Sequence, residues 1–564
     1  MLLPMNVLRS YGTQSATAFG AVIRNPNLRW LELAWTASVV GHYAYLIAVS
    51  VYAYGVGGEE AVGLIILARL IPAALAAPFA GLLGDRFRRE RVLLVTNASR
   101  IVLVAAAALG VFLEAAPAVV YVLAVAATIA YTPYRPANAA LTPSLARSPA
   151  ELTAANAVAG GVSSLALFVG PALAGFLLAV ASAGVVFLLT AFLLVVSTGF
   201  LLLIKTAAVE RPKSELEAPT IVSEVLAGFS AIGRQPALRV MIGLIAAQHA
   251  FAGAVQVFIV VASVELLGFG TSGVGILNSA IGVGAFIGAI VALSLTGARR
   301  LSPAFMFGIV LLGVPLIILG LWSVAVTGIL LFGLIGIGSS IADVSGLTLI
   351  QRAVPDQVLA RVFGVIQMLM LSAMGLGAAA APVLISLFGV EGAIIATGAF
   401  LPALVVLVGR KVARIDAAAE RPDPDELRIL GTVPIFSPLP GVTLEQLAGR
   451  LVPLRLEPDT VVIKEGDAGD RFFIIAEGTV QVSEYGRPIA DLSAGGYFGE
   501  IALIRDVART ATVTTKTQTV LYALDRDDFL AAVTSHAPSA EAAEEVVSSR
   551  LAGIPVGGAQ VPLE

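Results

Sequence analysis

Residues 495–513 read GGYFGEIALIRDVARTATV, which sets one carboxylate, Glu500, directly after a glycine turn and one guanidinium, Arg509, at the start of a β-like tail. Gly499 lets the chain turn tightly into a one-turn helix whose free N–H groups, at about Glu500, Ile501 and Ala502, point at an anion. Arg509 returns on the next strand with a fixed charge and a planar fork suited to phosphate oxygens. Glu500 is then placed to accept a hydroxyl of the same ligand. The competing reading is a structural ion pair between Glu500 and Arg509.

A second set of reactive side chains lies in surroundings that should exclude them. Two of the three histidines, His42 and His249, fall within strongly apolar runs, about 18 Å and 16 Å from where each run starts at ~1.5 Å per residue. A neutral imidazole exchanges a proton near physiological pH, so both are candidates for proton coupling; alternatively, each hydrogen-bonds a neighbouring helix. Arg69 is a permanent cation inside such a run and must be salt-bridged or face water, where it can hold an anionic group. Arg100 and Arg135 sit nearer the ends of their runs, where a latch role or snorkelling is expected. Tyr131 and Tyr134 flank Pro133 in a run expected to break there, and offer rings either to a solute or to packing. The chain has no cysteine, which removes disulfides, thiolate metal sites and thiol catalysis, and no metal site is expected.

The elements carrying these residues are of two kinds. Hydrophobic residues make up 58% of the 564 and charged residues only 13%, with a mean hydropathy of +0.92, so most of the chain must live in lipid. From about residue 412 the charges return and no apolar run approaches the ~20 residues that a bilayer needs. The formal charge of −3 decides nothing by itself. Apolar runs give twelve spans, at roughly 30–54, 61–83, 92–113, 117–140, 155–180, 183–204, 238–264, 272–296, 303–323, 325–348, 361–387 and 390–410. The turns on the starting side carry Arg86, Arg88, Arg89, Arg91, Arg147, Lys205, Arg211, Lys213, Arg234, Arg299, Arg300 and Arg352, whereas the opposite turns carry Glu59, Glu60, Glu114, Glu265 and Glu391 and no basic residue. This asymmetry predicts that both termini and the tail are cytoplasmic, with the N-terminal stretch a retained arm. The turn SLARSPAELTAANAV before the fifth span is echoed by LIQRAVPDQVLARVF before the eleventh, which implies a six-plus-six duplication. His42 and His249 occupy counterpart spans in that plan.

In the turn GLLGDRFRRERVL, Gly81, Asp85, Arg86 and Arg89 match the signature loop of the major facilitator superfamily, which the chain resembles over about 20–411; Arg88 and Glu90 depart from it. GPALAG, Gly170 to Gly175, looks like the Gly-Pro motif of its antiporters, and the two echoed turns resemble its efflux-type branch. The resemblance implies two six-helix halves rocking about a central cavity lined by the first, fourth, seventh and tenth spans, with Gly81, Asp85, Arg86 and Arg89 as a conformational latch. In the tail, β-branched runs separated by Gly466-Asp467, Gly469-Asp470 and Glu477-Gly478 read as an antiparallel β-roll followed by helices at about 526–534 and 538–552. It resembles the cyclic nucleotide-binding domain, with Phe498, Gly499, Glu500, Ile501, Ala502, Leu503, Arg509, Thr510 and Ala511 on the phosphate-binding cassette and Asp459 in place of a turn glycine. A cyclic nucleotide is the implied regulatory ligand, with cAMP favoured over cGMP because Thr510 is compatible with both and no other guanine-specific residue stands out.

The expected fold is therefore an α-helical membrane protein of twelve transmembrane helices in two six-helix halves, plus a soluble C-terminal β-roll with flanking helices. The expected divisions are 1–29 cytoplasmic arm, 30–204 first half, 205–237 cytoplasmic connector, 238–411 second half, 412–434 linker and 435–564 nucleotide-binding domain. Function is expected to be non-enzymatic: proton-coupled export of a small-molecule substrate from the cytoplasmic membrane, regulated by cyclic nucleotide. The alternatives are a transporter-fold receptor that moves nothing and a regulated lipid or lysolipid flippase. The expected partners are the bilayer, the substrate and the nucleotide. Nucleic acid is not expected, since no helix-turn-helix follows the last helix, and a cyclic-nucleotide-gated channel is not, since twelve spans lack a filter loop.

Overall fold

The computed structural model describes residues 22–147, 149–205, 226, 229–230, 232–233, 235–293, 301–353, 356–418, 424–439, 441–534, 537–551 and 559–560. It divides into two compact units, Met1–Ala417 and Ala418–Glu564, and each is described by itself.

Ten described helices in the first unit are long and apolar enough to cross a membrane, and two of them are twice the necessary length. The 61-residue helix Pro26–Arg86 breaks at Gly57 and Gly58, the latter at φ 60°, and the 63-residue helix Asp356–Ala418 breaks at Gly389, at φ 69°. Only glycine enters these conformations without strain, so each long element is two spans joined by a tight turn, giving twelve. The fourth span is itself divided into Pro117–Tyr131 and Tyr134–Leu145, because Pro133 cannot continue the helical hydrogen-bond ladder.

With lipid on the outside, helix association depends on close approach of small residues. A Cβ on Gly284 would stand 1.9 Å from the Gly333 carbonyl and one on Gly288 2.6 Å from that of Ile337, so this pair seats the eighth span on the tenth. Gly170, in the Gly-Pro stretch, is equally committed, since its Cβ would meet Tyr43 Cβ at 2.6 Å on the first span. Between the halves, Gly63 abuts Ala378 and Pro382, and Gly175 abuts Ser272 and Gly275. Tyr54 Oη donates to Glu265 at 2.5 Å beside these contacts, joining the end of the first span to the π-turn Ala262–Leu266 that closes the seventh. These contacts gather at the ends of the spans that carry the acidic turns.

The second unit begins with two helices, Pro424–Thr432 and Gly441–Ala448, in a segment read from sequence as linker and roll entry. The strands are β1 Val452–Leu456, β2 Val461–Ile463, β3 Arg471–Glu477, β4 Thr479–Glu484, β5 Arg487–Ser493, β6 Tyr497–Phe498, β7 Thr512–Thr515, β8 Thr519–Asp525 and β9 Ala559–Gln560. They form two antiparallel sheets, ordered β1-β8-β3-β6 and β2-β7-β4-β5-β9. Strand β3 serves two cores by its period of two. Phe473 and Ile475 face the interior of the roll with Val480, Leu492 and Phe498, while Phe472 and Ile474 face the helices. There Phe472 stacks on Phe529 at 4.8 Å and meets Phe436 edge-on at 5.5 Å. Asp459 holds φ 61°, so this aspartate does take the left-handed turn position.

Candidate functional site

The cassette is built from its aromatic anchor outward. Phe498 ends β6 with its ring stacked on Phe473 at 5.2 Å, so it fixes the backbone and offers no surface to a ligand. Gly499 follows at φ 95° and starts the helix Glu500–Arg505; a Cβ here would lie 2.8 Å from Arg509 Nη1 and 2.9 Å from the Arg471 carbonyl. A side chain is thus excluded by both conformation and space. The helix stops at Asp506, at φ 52°, and the chain returns toward β7 through Arg509. The Arg509 N–H groups reach Gly499 O at 3.0 Å, Arg471 O at 2.8 Å and Asp470 Oδ1 at 3.1 Å. Its side chain is only 4% exposed whereas that of Asp470 is 78% exposed, so the fork sits at the floor of a surface recess with the carboxylate at its rim. Burial lowers the Arg509 pKa from the ordinary guanidinium range, with Asp470 opposing, which leaves a cation at any physiological pH.

Glu500 does not bind Arg509. Its Oε1 pairs at 2.7 Å with Arg550 on the last helix, Ala537–Leu551, and its Oε2 is buried with no hydrogen-bond partner among the described residues. Arg550 also donates to Tyr497 O at 2.9 Å and lies 4.5 Å over the Tyr497 ring. Burial raises the Glu500 pKa above the ordinary 4.5, while Arg550 and Arg509 pull the other way. A buried acceptor oxygen without a donor is costly, and here it is what a ligand hydroxyl would satisfy. Ala502 is buried against Gly469, Ile501 and Ala511 are half-buried and Thr510 is exposed. Val546 and Val547 of the last helix are buried and form core. Arg550 escaped the sequence reading, although its signal was present: a basic residue in the last turn of the helix expected at about 538–552.

In the membrane unit the structure gathers His42, Arg69, Tyr131 and Arg100. The His42 ring stacks on Tyr131 at 4.1 Å, and the Arg100 guanidinium lies 4.4 Å over the same Tyr131. Tyr131 is thus held between the first and third spans and remains half-buried. Arg69 Nε donates to Thr128 Oγ1 at 3.2 Å, and its guanidinium lies 5.7 Å over Tyr45. Tyr134 is fully buried, stacked on Trp35 at 5.9 Å with its hydroxyl 3.3 Å from Ser197, and forms the wall behind the cluster. Arg100 corrects the sequence expectation: at 2% exposed, hydrogen-bonded to Ser38 and stacked on Tyr131, it does not snorkel. Of the latch motif, Arg89 donates to Ala140 O, tying the third span to the second piece of the fourth. The side chains of Gly81, Asp85 and Arg86 lie outside the described residues.

His249 is in the other half, its Nδ1 2.9 Å from Ile245 O on its own helix. Beside it, Gln248 donates to Asp343 at 2.7 Å, and Ser339 bonds the other oxygen of Asp343 at 3.3 Å. His249 is within electrostatic range of that carboxylate. Asp343 and the first-span Glu32 were both missed from sequence. Glu32 is 5% exposed and neither carboxylate oxygen has a hydrogen-bond partner. Both lie inside predicted spans, where the rule that any intramembrane acid is a candidate should have caught them.

The family description Major Facilitator Superfamily matches residues 31–303, and Cyclic nucleotide-binding domain matches 453–536. A POT family transporter solved with 5-aminolevulinic acid superposes with a TM-score of 0.59 at 14% identity, covering 69% of this chain and 96% of that one, a likeness of fold. A cAMP-dependent protein kinase regulatory subunit from Yarrowia lipolytica is 42% identical over 102 residues, which are 18% of this chain and 27% of that protein. A cGMP-dependent protein kinase from Caenorhabditis briggsae is 38% identical over 84 residues, 15% of this chain and 11% of that protein. The chain therefore spans about a quarter or less of the length of these two curated relatives, all of it in the tail. Helices in a major facilitator arrangement and a β-roll with an intact cassette agree with both matches: the chain carries a Major Facilitator Superfamily domain followed by a C-terminal cyclic nucleotide-binding domain.

Proposed function

We propose that the protein is a secondary active transporter, a proton-coupled exporter of the efflux type, whose cycle is regulated by a cyclic nucleotide on a cytoplasmic tail. The observation that carries the nucleotide is the cassette: a buried guanidinium at the floor of a recess and, on the adjoining one-turn helix, a carboxylate oxygen with no donor. Arg509 and the N–H groups of Glu500, Ile501 and Ala502 take the cyclic phosphate, Glu500 Oε2 takes the ribose hydroxyl, Thr510 and Ala511 frame the pocket, and Phe498 anchors its backbone from behind. Exposed Thr510 is free to meet either purine; the 42% identity to a regulatory subunit named for cAMP favours cAMP. In the membrane unit His42, His249, Asp343 and Glu32 are the candidate proton carriers, and Gly81, Asp85, Arg86 and Arg89 the latch.

The test is transport in proteoliposomes under an imposed proton gradient, with and without internal cAMP or cGMP. Nucleotide should change the rate in wild type and not in Arg509→Ala. Gradient-driven movement of no solute, with cAMP still bound, would convert the reading to a receptor, and movement restricted to lysolipids to a flippase. Cysteines at Glu60 and Lys205 test orientation, since only the former should react with an impermeant reagent outside intact cells.

A further inference from the structure

We propose that Arg69 and Arg100 form a binding site for the anionic group, carboxylate or phosphate, of the transported solute. This rests on the transport reading and adds its substrate class.

Both guanidiniums lie eleven residues from the nearest turn, Gly58 and Arg89 respectively, which at ~1.5 Å per residue is about 16 Å into the membrane. They are 4% and 2% exposed, and among the described residues no carboxylate oxygen lies within 4.0 Å of either. A guanidinium carries five N–H donors. Among the described residues Arg69 reaches one acceptor, Thr128 Oγ1, and Arg100 one, Ser38 Oγ. Stripping water from two cations costs more than one neutral hydrogen bond and one cation–π contact apiece return, so among the described residues two positive charges are held here without a compensating acid.

The surroundings point both at one place. Ser38, His42 and Tyr45 recur at helical spacing on one face of the first span, and Thr128 and Tyr131 on one face of the fourth. Arg69 bridges Thr128 and Tyr45, Arg100 bridges Ser38 and Tyr131, and both act electrostatically on His42. His42 and Tyr131 are only half-buried, so space is left beside their rings. The acid in the interior of these spans is Glu32, six residues from Ser38 along the helix and bonded to neither arginine. A purely structural pair of arginines would be expected to have such an acid beside it. A bidentate anion entering this space meets two forks and a frame of neutral hydrogen-bonding groups.

The experiment uses the purified full-length protein in detergent, titrated with benzoate, inorganic phosphate, an anionic lysolipid and neutral benzamide, and reads both affinity and the ligand-dependent shift of Tm. Benzoate or phosphate should bind and raise Tm, benzamide should not, and Arg69→Gln and Arg100→Gln should each weaken the anion at least about tenfold. Because each substitution removes an uncompensated buried charge, the ligand-free Tm should hold or rise, with Arg→Lys variants retaining partial binding. Preference for the lysolipid over both small anions would assign the same site to a lipid headgroup. Binding of none of the three anions tighter than about 10 mM, equal binding of benzamide, or anion affinity unchanged in both Gln variants would overturn the proposal. Failure of transport with arginine-dependent binding intact would instead overturn the transport reading alone.

Discussion

Replacing Arg509 by alanine separates its contacts within the cassette from the phosphate-binding role proposed for it. The guanidinium makes three hydrogen bonds within the cassette, to Gly499 O, Arg471 O and Asp470, and its fork faces the recess that would take the phosphate. Charge-assisted hydrogen bonds contribute roughly 1.5–3 kcal/mol each, so losing a bidentate phosphate contact should cost about 2–4 kcal/mol, or about 30- to 1,000-fold in Kd. The structural loss is smaller. Two carbonyls lose a donor, but the 78% exposed Asp470 side chain marks the recess as open to water, so about 1–2 kcal/mol is expected, a Tm lower by a few degrees for a domain of this size. Calorimetric titration of residues 418–564 with cAMP, well below the variant's Tm, isolates the binding term, and Arg509→Lys, which keeps charge without the fork, should fall between wild type and alanine. Affinity within about threefold of wild type in a folded Arg509→Ala would refute the assignment of the phosphate to this side chain.

Four further outcomes are expected, three in the cassette and one in the membrane unit. Gly499→Ala should lose about 1–3 kcal/mol of stability and most nucleotide affinity, read by melting and titration, because its φ of 95° and the 2.8 Å approach to Arg509 both resist a Cβ. Nucleotide affinity should fall on acidification at a pH above the ordinary carboxylate value of 4.5, since burial raises the Glu500 pKa and only its ionised form is acceptor alone. The linked stability runs the other way: a raised folded pKa contributes stability that is fully present below 4.5 and lost as pH rises through the folded value. Arg550→Met removes the charge favouring ionisation, so titrations across pH should show the affinity loss beginning at higher pH. Gly175→Leu should hold the acidic-turn side of the membrane unit open, because its Cβ would already stand 2.8 Å from Ser272 O; raised labelling of a cysteine at Glu60 reads this out.

Much of the architecture was legible because each element carries its own local signal. Spans announce themselves by apolar length, their turns by glycine, and the fourth span's break by Pro133, so the helices needed no knowledge of packing. The cassette's geometry was legible for a similar reason: it is set by backbone turned at Gly499 and one returning arginine, all within eleven residues. The partner of Glu500 was not, since fifty residues separate it from Arg550 and only packing of the last helix on the roll brings them together. Arg100 was misread because depth along a helix does not reveal which way a side chain points; Ser38 and Tyr131 draw it inward. The helices Pro424–Thr432 and Gly441–Ala448 were hidden by prolines and short length, and their apolar residues make sense only against Phe472 and Phe529.

The connection between the units carries the regulatory argument. The twelfth span continues as helix to Ala418, and a new helix begins at Pro424, a residue suited to a first helical position. Its Leu430, with Val433, Ile435 and Phe436 just beyond, is already buried in the same core as Phe472, Phe529 and Val546. Only about a dozen residues thus separate a membrane span from the core that packs the last helix, and that helix carries Arg550, which reads Glu500. On the proposed function, a ribose hydroxyl on Glu500 would change what holds Arg550, and a resulting shift of the last helix would reach Phe529 and Phe436, which share its core. A connection this short in sequence would be expected to pass displacement on, whereas a long Gly/Ser one absorbs it. A coupling of ~1–3 kcal/mol would alter the ratio of transport states about 5- to 150-fold. Inserting a long Gly/Ser segment between Ala418 and Pro424, which leaves both helices and the cassette intact, should preserve nucleotide affinity while abolishing its effect on transport rate. If the inserted protein still responds to nucleotide as wild type does, coupling does not run through this connection, and contacts of the tail elsewhere must carry it.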